Sequence, residues 1–539
     1  MEAIAAQFTP WDWATLVLYM VFTTWIGHHF SGKQATIKDF FLAGRSLPWP
    51  AVSGSIIATA ISGVTFVGVP SMVYAIDGNW WFLQASIGSI LARLIIAKWF
   101  IPAFYEKEIY SPYDFMANRL GGGVGKLTTL LFFIGAILGQ SARVYLTALV
   151  LEVITGWDIA LSVAVIGIIS IIWTWMGGIA TVIWTDVVQF FLFVCGGLLA
   201  LFFILAYLPL DPFQAFKVAA DYGKTDVLNL TLDPRFSYTL WAAILAWPFQ
   251  NLASYGTDQL NAQRFFTCKS PGDASKAIVL SCLSELVTLL MLSIGALLFV
   301  YYNYYPLDPN AAGLVDEKMD RIFPVFIVQE LPPGVTGLLI AGIFAAAISS
   351  LDSILAALSQ VCMTTFYQPY LGRNKSDAHY VWVSRLLVLV WGILLSLVAY
   401  SFAKAPEDIN IVAIVFGVSS YSFGPMLGIF LLALLKPECG ARGLWVGVPL
   451  SILLAGMFRN ALYAKYEGGF PDFLPTSAEF YFLLFPETEA LKDAGLSLAL
   501  TYIWVIPLTT ALTFGLGVLL GKRGGGGESA PPAAESAAP

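Results

Sequence analysis

The sequence predicts an all-α integral membrane protein with about thirteen transmembrane helices, since a helix needs about 20 mainly apolar residues to span a bilayer. Of its 539 residues, 58% are hydrophobic and only 12% are charged, far from the composition of an average soluble domain. Long apolar segments recur along the whole chain. They cover residues 11–30, 48–75, 79–104, 125–152, 158–176, 179–209, 237–265, 275–304, 333–369, 380–402, 408–435, 442–463 and 498–521.

Basic residues in alternate loops predict the orientation of these segments, because cytoplasmic loops carry an excess of Lys and Arg. Lys and Arg follow the first, third, seventh, ninth, eleventh and last segments, and Arg264 belongs to the group after the seventh. The amino terminus is therefore expected outside and the carboxyl terminus in the cytoplasm, in an inner or plasma membrane. Residues 524–539, rich in Gly, Ala, Pro and Ser, predict a disordered tail.

The segment from Phe344 to Leu358 carries polar groups that lipid cannot satisfy. Ser349, Asp352 and Ser353 share one helical face, and an ionised Asp at the bilayer centre costs about 3 kcal/mol. Oxygen ligands of this kind suit a hard monovalent cation. A hydrogen-bonded seam between two helices is the alternative interpretation, and both stay open.

Two segments are interrupted, and they lie five segments apart. Gly63, Gly68 and Pro70 break the second segment, and Pro248 and Gly256 break the seventh. Interrupted helices in corresponding positions of two halves indicate a transporter binding site, because freed carbonyls can coordinate ions there. We therefore predict a 5+5 inverted-repeat core; simple kinks in packed helices are the alternative. The predicted units are 1–47 with a first peripheral helix, 48–209 and 237–435 as the two repeats, and 442–521 with two peripheral helices.

The sixth segment holds Thr185, Asp186 and Gln189 within a strongly apolar run. The carboxylate of Asp186 could bond a neighbouring helix end, or it could balance a travelling cation. Carboxylates inside membranes are usually functional, which favours the second interpretation.

Four stretches together resemble the sodium:solute symporter family. The first is Gly-Gly-x-x-x-Val-x-Trp-Thr-Asp-x-x-Gln at 177–189; the others are 39–48, 257–264 and 345–353. The resemblance covers nearly the whole chain. It implies a sodium site formed by carbonyls of the broken second segment and by the ninth segment, at Ala58, Ile61, Ala346, Ser349 and Ser350. Some members hold a second sodium ion, whose ligands here would be Asp186, Ser349, Asp352 and Ser353.

Arg143 is a second costly residue inside a span, and an intramembrane arginine normally finds an anion. Glu285 or Asp352 could be a permanent partner; a substrate carboxylate is the alternative. The family's layout implies a set of substrate-binding candidates near the first break. These are Thr65, Phe66, Gln84, Arg143, Asn251, Ser254, Tyr255 and Tyr421. Sugar-carrying members place Lys in the eighth span and Glu in the third, whereas Glu285 and Gln84 stand near those positions here.

The sequence thus predicts a sodium-coupled secondary active symporter that imports a small organic solute, with an organic acid such as a monocarboxylate favoured. A sodium/sugar or polyol symporter, a proton-driven transporter of the same fold and a sodium-dependent sensor are the alternatives. The absence of a Ser–His–Asp set, a metal cluster or a phosphate loop argues against an enzyme. Sodium is the only metal expected, no cofactor is expected, and the expected partners are the solute, sodium and lipid, with neither nucleic acid nor an obligate protein partner.

Overall fold

The computed structural model describes residues 8–30, 34–61, 64–107, 109–234, 236–404, 411–463 and 501–521, and these residues are mainly α-helical. The first helices are α1 (Pro10–Phe30), α2 (Ile37–Leu42), α3 (Trp49–Ala60), α4 (Val69–Tyr74), α5 (Ala85–Ile95), α6 (Ile101–Phe104), α7 (Pro112–Leu120), α8 (Gly122–Thr155), α9 (Ile159–Tyr207) and α10 (Pro212–Asp221). The remaining helices are α11 (Leu240–Leu245), α12 (Trp247–Gly256), α13 (Gln259–Phe265), α14 (Pro271–Leu280), α15 (Ser284–Tyr304), α16 (Pro309–Glu317), α17 (Ile322–Glu330), α18 (Val335–Cys362), α19 (Asp377–Ser401), α20 (Ile411–Leu435), α21 (Leu444–Tyr463) and α22 (Tyr502–Leu519).

Helices occupy much of each predicted segment in the described residues, and the fifth and sixth segments lie in one bent helix, α9. Seven helical stretches there are long and apolar enough to cross a membrane. They are Trp81–Phe104, Gly122–Leu149, Ile159–Tyr207, Pro271–Tyr304, Val335–Leu371, Asp377–Ser401 and Tyr502–Leu519. The count of thirteen spans stays a prediction, as do the unit boundaries. Residues 464–500 and the predicted tail at 524–539 lie outside the described residues.

Both predicted interruptions are present as breaks between short helices. The helix Trp49–Ala60 and the following stretch Thr65–Tyr74 meet at an angle of 60°. The second break falls between α12 and α13, where the side chain of Asp258 accepts a hydrogen bond from the Leu260 amide (2.9 Å) and begins α13. The half-helices α3 and α13 pack against each other and against α18. The two breaks are therefore brought to one buried region of the molecule.

A glycine pair bends the long helix α9 and orients its second half. Gly177 and Gly178 have non-helical backbone angles. Gly178 has φ 56° and ψ −143°, a backbone conformation that residues other than glycine rarely adopt. The carbonyl of Phe40, on α2, approaches so closely that a Cβ at Gly178 would lie 2.1 Å from its oxygen. This contact fixes the direction in which α9 carries Asp186 into the core.

We therefore expect Gly178→Ala to destabilise the protein by about 3 kcal/mol or more, because the substitution adds both backbone strain and a clash with a backbone oxygen. The melting temperature of the purified protein in detergent measures the effect. Gly515→Ala, in α22, is the matched control, since nothing lies within 4 Å of its added Cβ. Equal melting temperatures for the two variants would contradict the prediction.

Candidate functional site

The first break brings the predicted sodium ligands onto two neighbouring helices. Helix α3 ends at Ala60, and Ile61 leaves helical geometry with φ −87° and ψ 94°. Ala58 and Ile61 are buried, as are Ala346, Ser349 and Ser350 on α18, which packs against α3. The Ser350 hydroxyl donates to the Ala346 carbonyl (3.1 Å), which is one turn earlier on the same helix.

A buried ion pair lies beside this region. Asp186 on α9 and Arg264 on α13 are both fully buried, and Asp186 Oδ2 lies 3.0 Å from Arg264 Nη2. The hydroxyl of Ser55 donates to the same carboxylate oxygen (2.5 Å) and accepts from Arg264 Nε (2.7 Å). Nη2 also donates to the hydroxyls of Thr59 and Ser353, and Nη1 donates to the Leu260 carbonyl. The guanidinium thus joins both broken helices to the helices that carry the acids.

The second carboxylate of this cluster is less well satisfied. Asp352, also fully buried, accepts from the Ser353 hydroxyl through Oδ1 (3.3 Å), whereas its Oδ2 has no hydrogen-bond partner among the described residues. Asp186 Oδ1 and Gln189 Oε1 are likewise buried there without partners. The Ser349 hydroxyl lies close to Asp186 but outside ordinary hydrogen-bond geometry. Oxygen acceptors therefore outnumber donors in this cluster.

The position of Arg264 corrects the assignment of this residue to a loop after the seventh segment. Its side chain is 0% exposed, and it bonds two of the four ligands predicted for a second sodium ion, Asp186 and Ser353. The signal was available in the sequence, because Arg264 lies inside the predicted segment 237–265. A buried acid also requires a partner, since an unpaired charge in an apolar interior is very costly.

Two cavities flank the first break, and they share Ala60, Trp247, Asn251 and Tyr255. The large cavity has a volume of about 180 Å³ and is lined by these residues together with Thr59, Arg143, Ser254, Asp258, Ser419 and Ser422, among others. The small cavity has a volume of about 140 Å³ and is lined by the shared residues together with Ile61, Thr65, Ser86, Arg93, Glu285 and Thr288, among others. Polar side chains are therefore concentrated on both sides of Tyr255.

Arg143 lines the large cavity and is paired with neither Glu285 nor Asp352, the two acids considered as its internal partners. Glu285 is bound by Arg93 and Ser86, and Asp352 lies in the cluster around Arg264. Among the described residues, no carboxylate lies within ion-pair distance of the Arg143 guanidinium; Asp258 lines the same cavity but forms no ion pair with it. The side chain is thus available to an anion that enters the cavity.

Arg93 on α5, which is buried like Arg264, holds Tyr255 between the two cavities. Its guanidinium donates to the Tyr255 hydroxyl (2.7 Å) and lies 4.4 Å from the centre of the Tyr255 ring. It also donates to the Ser281 carbonyl (2.6 Å) and the Ser284 hydroxyl (2.9 Å), and it lies 3.5 Å from Glu285. This network joins α5, α12 and α15, and sequence reasoning missed Arg93.

The structure separates the remaining substrate candidates. Thr65 lines the small cavity, Ser254 the large one, and Asn251 and Tyr255 line both.

Three candidates line neither cavity. Phe66 is fully buried and packs on Phe193 and Phe323. Gln84 is held by the backbone of residues 229 and 238. Tyr421 lies beside Gly456 instead, and its helix presents Ser419 and Ser422 to the large cavity.

Comparison with solved structures defines the class. The fold matches that of a sodium-coupled sialic acid symporter described as substrate-bound and outward-open, with a TM-score of 0.79, 25% identity, and coverage of 95% of this chain and 97% of that one. The predicted all-helical fold of a multi-pass membrane transporter is confirmed.

The chain belongs to the sodium:solute symporter family, whose model matches residues 40–450. It is 30% identical to the sodium/sialic acid symporter SiaT of Proteus mirabilis over 475 residues, covering 85% of this chain and 91% of that protein. It is 27% identical to the sodium-dependent multivitamin transporter of Oryctolagus cuniculus (98% and 85% covered) and 27% identical to the human sodium-coupled monocarboxylate transporter 1 (96% and 88% covered). The predicted resemblance is thereby confirmed.

The Arg93 network yields a stability prediction. We expect Arg93→Leu to cost about 3 kcal/mol, because it leaves Glu285 and the Tyr255 hydroxyl without their partner in a largely buried region. Thermal unfolding in detergent measures the loss. Lys276→Ala is the control, since its side chain is exposed and surface pairs such as that with Asp273 contribute at most about 1 kcal/mol. A melting temperature for Arg93→Leu within the range of the control would refute the proposed role.

Proposed function

We propose that this chain is a sodium-coupled secondary active symporter that imports a small organic acid. The observation that carries the substrate class is the Arg143 guanidinium, which lines the large cavity and has no ion-pair partner among the described residues. A guanidinium shielded from bulk water binds a carboxylate through two parallel hydrogen bonds. The hydroxyl and amide groups of Ser254 and Asn251 could bind the polar remainder of the solute.

The names of the relatives support an acidic solute, but they differ from one relative to the next and so do not identify a particular acid. Two are named for monocarboxylates and sialic acid, others for vitamins and iodide. Asp258 favours the second candidate, a neutral sugar or polyol, because its carboxylate lines the same cavity and would repel an anion. Arg143 distinguishes the two candidates, since only an anionic solute requires its charge.

The coupling ion is proposed to bind where α3 and α18 meet. The ligands would be the carbonyl oxygens of Ala58, Ile61 and Ala346 and the hydroxyls of Ser349 and Ser350. Ile61 has left helical geometry, and this frees carbonyls at the end of α3. Neutral oxygens can replace the water shell of sodium and still release the ion, as a transport cycle requires.

Sodium at this position would hold the broken helix α3 against α18 and so favour the conformation that binds the solute. By linkage, the solute then raises the affinity for sodium by the same factor. The membrane potential supplies about 2.3 kcal/mol per charge per 100 mV to inward movement. We infer that Tyr255, which lines both cavities and accepts a hydrogen bond from Arg93, acts as a gate between them.

A proton-driven transporter is the main alternative, and replacing sodium by another cation distinguishes it from a sodium-coupled symporter. Purified protein in liposomes takes up a labelled monocarboxylate with sodium outside, or with choline in its place at the same pH. Sodium-coupled symport predicts that uptake falls to the background of protein-free liposomes in choline. Undiminished uptake in choline would overturn the sodium proposal.

Ser350→Ala should raise the sodium concentration needed for half-maximal uptake by about tenfold or more, because a hydrogen bond or ligand contact to a charge contributes about 1.5–3 kcal/mol. Ser359→Ala is the matched control: it removes a buried hydroxyl from the same helix, outside the proposed site. Identical sodium activation curves for the two variants would place the ion elsewhere.

Arg143→Gln should raise the half-saturating monocarboxylate concentration by about thirtyfold or more while leaving sodium binding intact, because a charge-assisted contact contributes about 2–3 kcal/mol. Competition by unlabelled acids and neutral polyols in the same liposomes provides the readout. Ser254→Ala, in the same cavity, should have a smaller effect. Unchanged uptake of the acid by Arg143→Gln would favour the neutral solute.

A further inference from the structure

Helix α18 carries three of the proposed sodium ligands, yet its own N-cap residue, Gly334, has no side chain to cap its first turn. We propose that Asp12, on the first helix α1, is a positioning residue that fixes the axial position of α18 and thereby the affinity of the protein for sodium. The inference rests on the proposed sodium-coupled function. It adds to that function a residue outside the proposed ion site.

The Asp12 carboxylate caps the first turns of two helices at once. It is 1% exposed, and its Oδ1 atom accepts hydrogen bonds from the amides of Gly334 (2.7 Å) and Gly337 (2.8 Å) at the start of α18. Its Oδ2 atom accepts from the amide (2.9 Å) and the hydroxyl (2.6 Å) of Thr9, the residue before α1. Asp12 and Gly334 are 322 residues apart in the chain, so this cap is a tertiary contact.

Electrostatics favours a carboxylate between these two helix ends. Each helix N-terminus carries a partial positive charge of about half an elementary charge, and the two N-termini would repel each other if nothing lay between them. The buried negative charge of Asp12 offsets both with little screening by solvent. The backbones are also in direct contact, because a Cβ at Gly337 would lie 2.5 Å from the Asp12 carbonyl oxygen. Asp12 therefore bonds α18 at one fixed height.

Helix α1 is attached to α9 as firmly as it is to α18. The indole of Trp173 donates to the Thr24 hydroxyl (2.9 Å), and the hydroxyl of Thr181 donates to the Gly27 carbonyl (2.9 Å). These two bonds lie on either side of the bend at residues 177–178, so α1 holds both halves of α9. Since α9 and α18 also pack against each other, α1 links the two helices and sets their relative position.

A displacement of α18 should alter sodium binding without altering the solute contacts. The helix is continuous from Val335 to Cys362, and Ala346 follows Gly337 by about 14 Å at 1.5 Å per residue. An axial shift of the first turn is therefore carried to the proposed ligands. Among the described residues of α18, none lines either cavity. The two ligands of the symporter thus depend differently on the Asp12 cap.

The test measures uptake of a labelled monocarboxylate into liposomes as a function of sodium and, separately, of the acid. We expect Asp12→Ala to raise the sodium concentration for half-maximal uptake by about fivefold or more, because the cap is lost. The half-saturating acid concentration, measured at saturating sodium, should stay within about twofold of the native value. A defect in folding alone would lower the maximal rate and shift neither concentration.

Three further variants make the result specific. Asp12→Asn should shift sodium activation less than Asp12→Ala, because its amide oxygen keeps both hydrogen bonds to α18 while the charge is lost. Asp308→Ala is the matched control: it removes a carboxylate that accepts from two amides (2.9 and 3.1 Å) at the start of α16, and it should leave sodium activation unchanged. Asp12→Ser, too short to bond both amides, decides should Asp12→Ala fail to fold.

The outcomes separate this inference from the proposed function. Undiminished uptake by the native protein in choline would refute sodium coupling itself. Sodium-dependent uptake by the native protein, with the same sodium activation in the folded Asp12 variant as in Asp308→Ala, would refute only the role assigned to Asp12. A higher half-activating sodium concentration with an unchanged half-saturating acid concentration would support it.

Discussion

The ion pair between Arg264 and Asp186 is the interaction on which the centre of this molecule depends. A charge buried among apolar helices is tolerated only when it is paired and hydrogen bonded, and removal of one partner is strongly destabilising. Arg264 meets this requirement with groups from α3, α9 and α18. Because Arg264 itself belongs to α13, one side chain holds both broken helices in place beside the acids.

The same constraint explains the distribution of the other costly residues. The Arg93 guanidinium binds Glu285, Tyr255 and the Ser281 carbonyl at the end of α14, so its charge serves to join helices. Arg143 lines a cavity together with Asp258 but forms no ion pair with it. Of Arg264, Arg93 and Arg143, Arg143 is therefore the one that remains available to a ligand. This contrast between paired and available guanidinium groups is the physical basis of the proposed substrate class.

Sequence reasoning succeeded where a local pattern has one dominant physical cause. Long apolar runs predicted the helices, and the glycines and prolines at 63–70 and 248–256 predicted the breaks. It was less successful with side chains whose role depends on the opposite face of a packed helix. The family's layout implied Phe66 and Gln84 as candidates, yet one packs on aromatic rings and the other bonds backbone. Tyr421 shows the same limitation, because the orientation of α20 presents Ser419 and Ser422 to the cavity instead.

The sequence by itself determined that this is a helical membrane protein of the sodium:solute symporter family, with two broken helices and acids placed inside its spans. Those properties follow from composition, helix length and local motifs, which do not require knowledge of distant contacts. Only the tertiary structure decided which charge meets which: Arg264 with Asp186, Arg93 with Glu285, and Arg143 with a cavity. Pairing in a low-dielectric interior depends on distances of a few ångströms between helices far apart in the chain, and residue spacing along the sequence does not contain those distances.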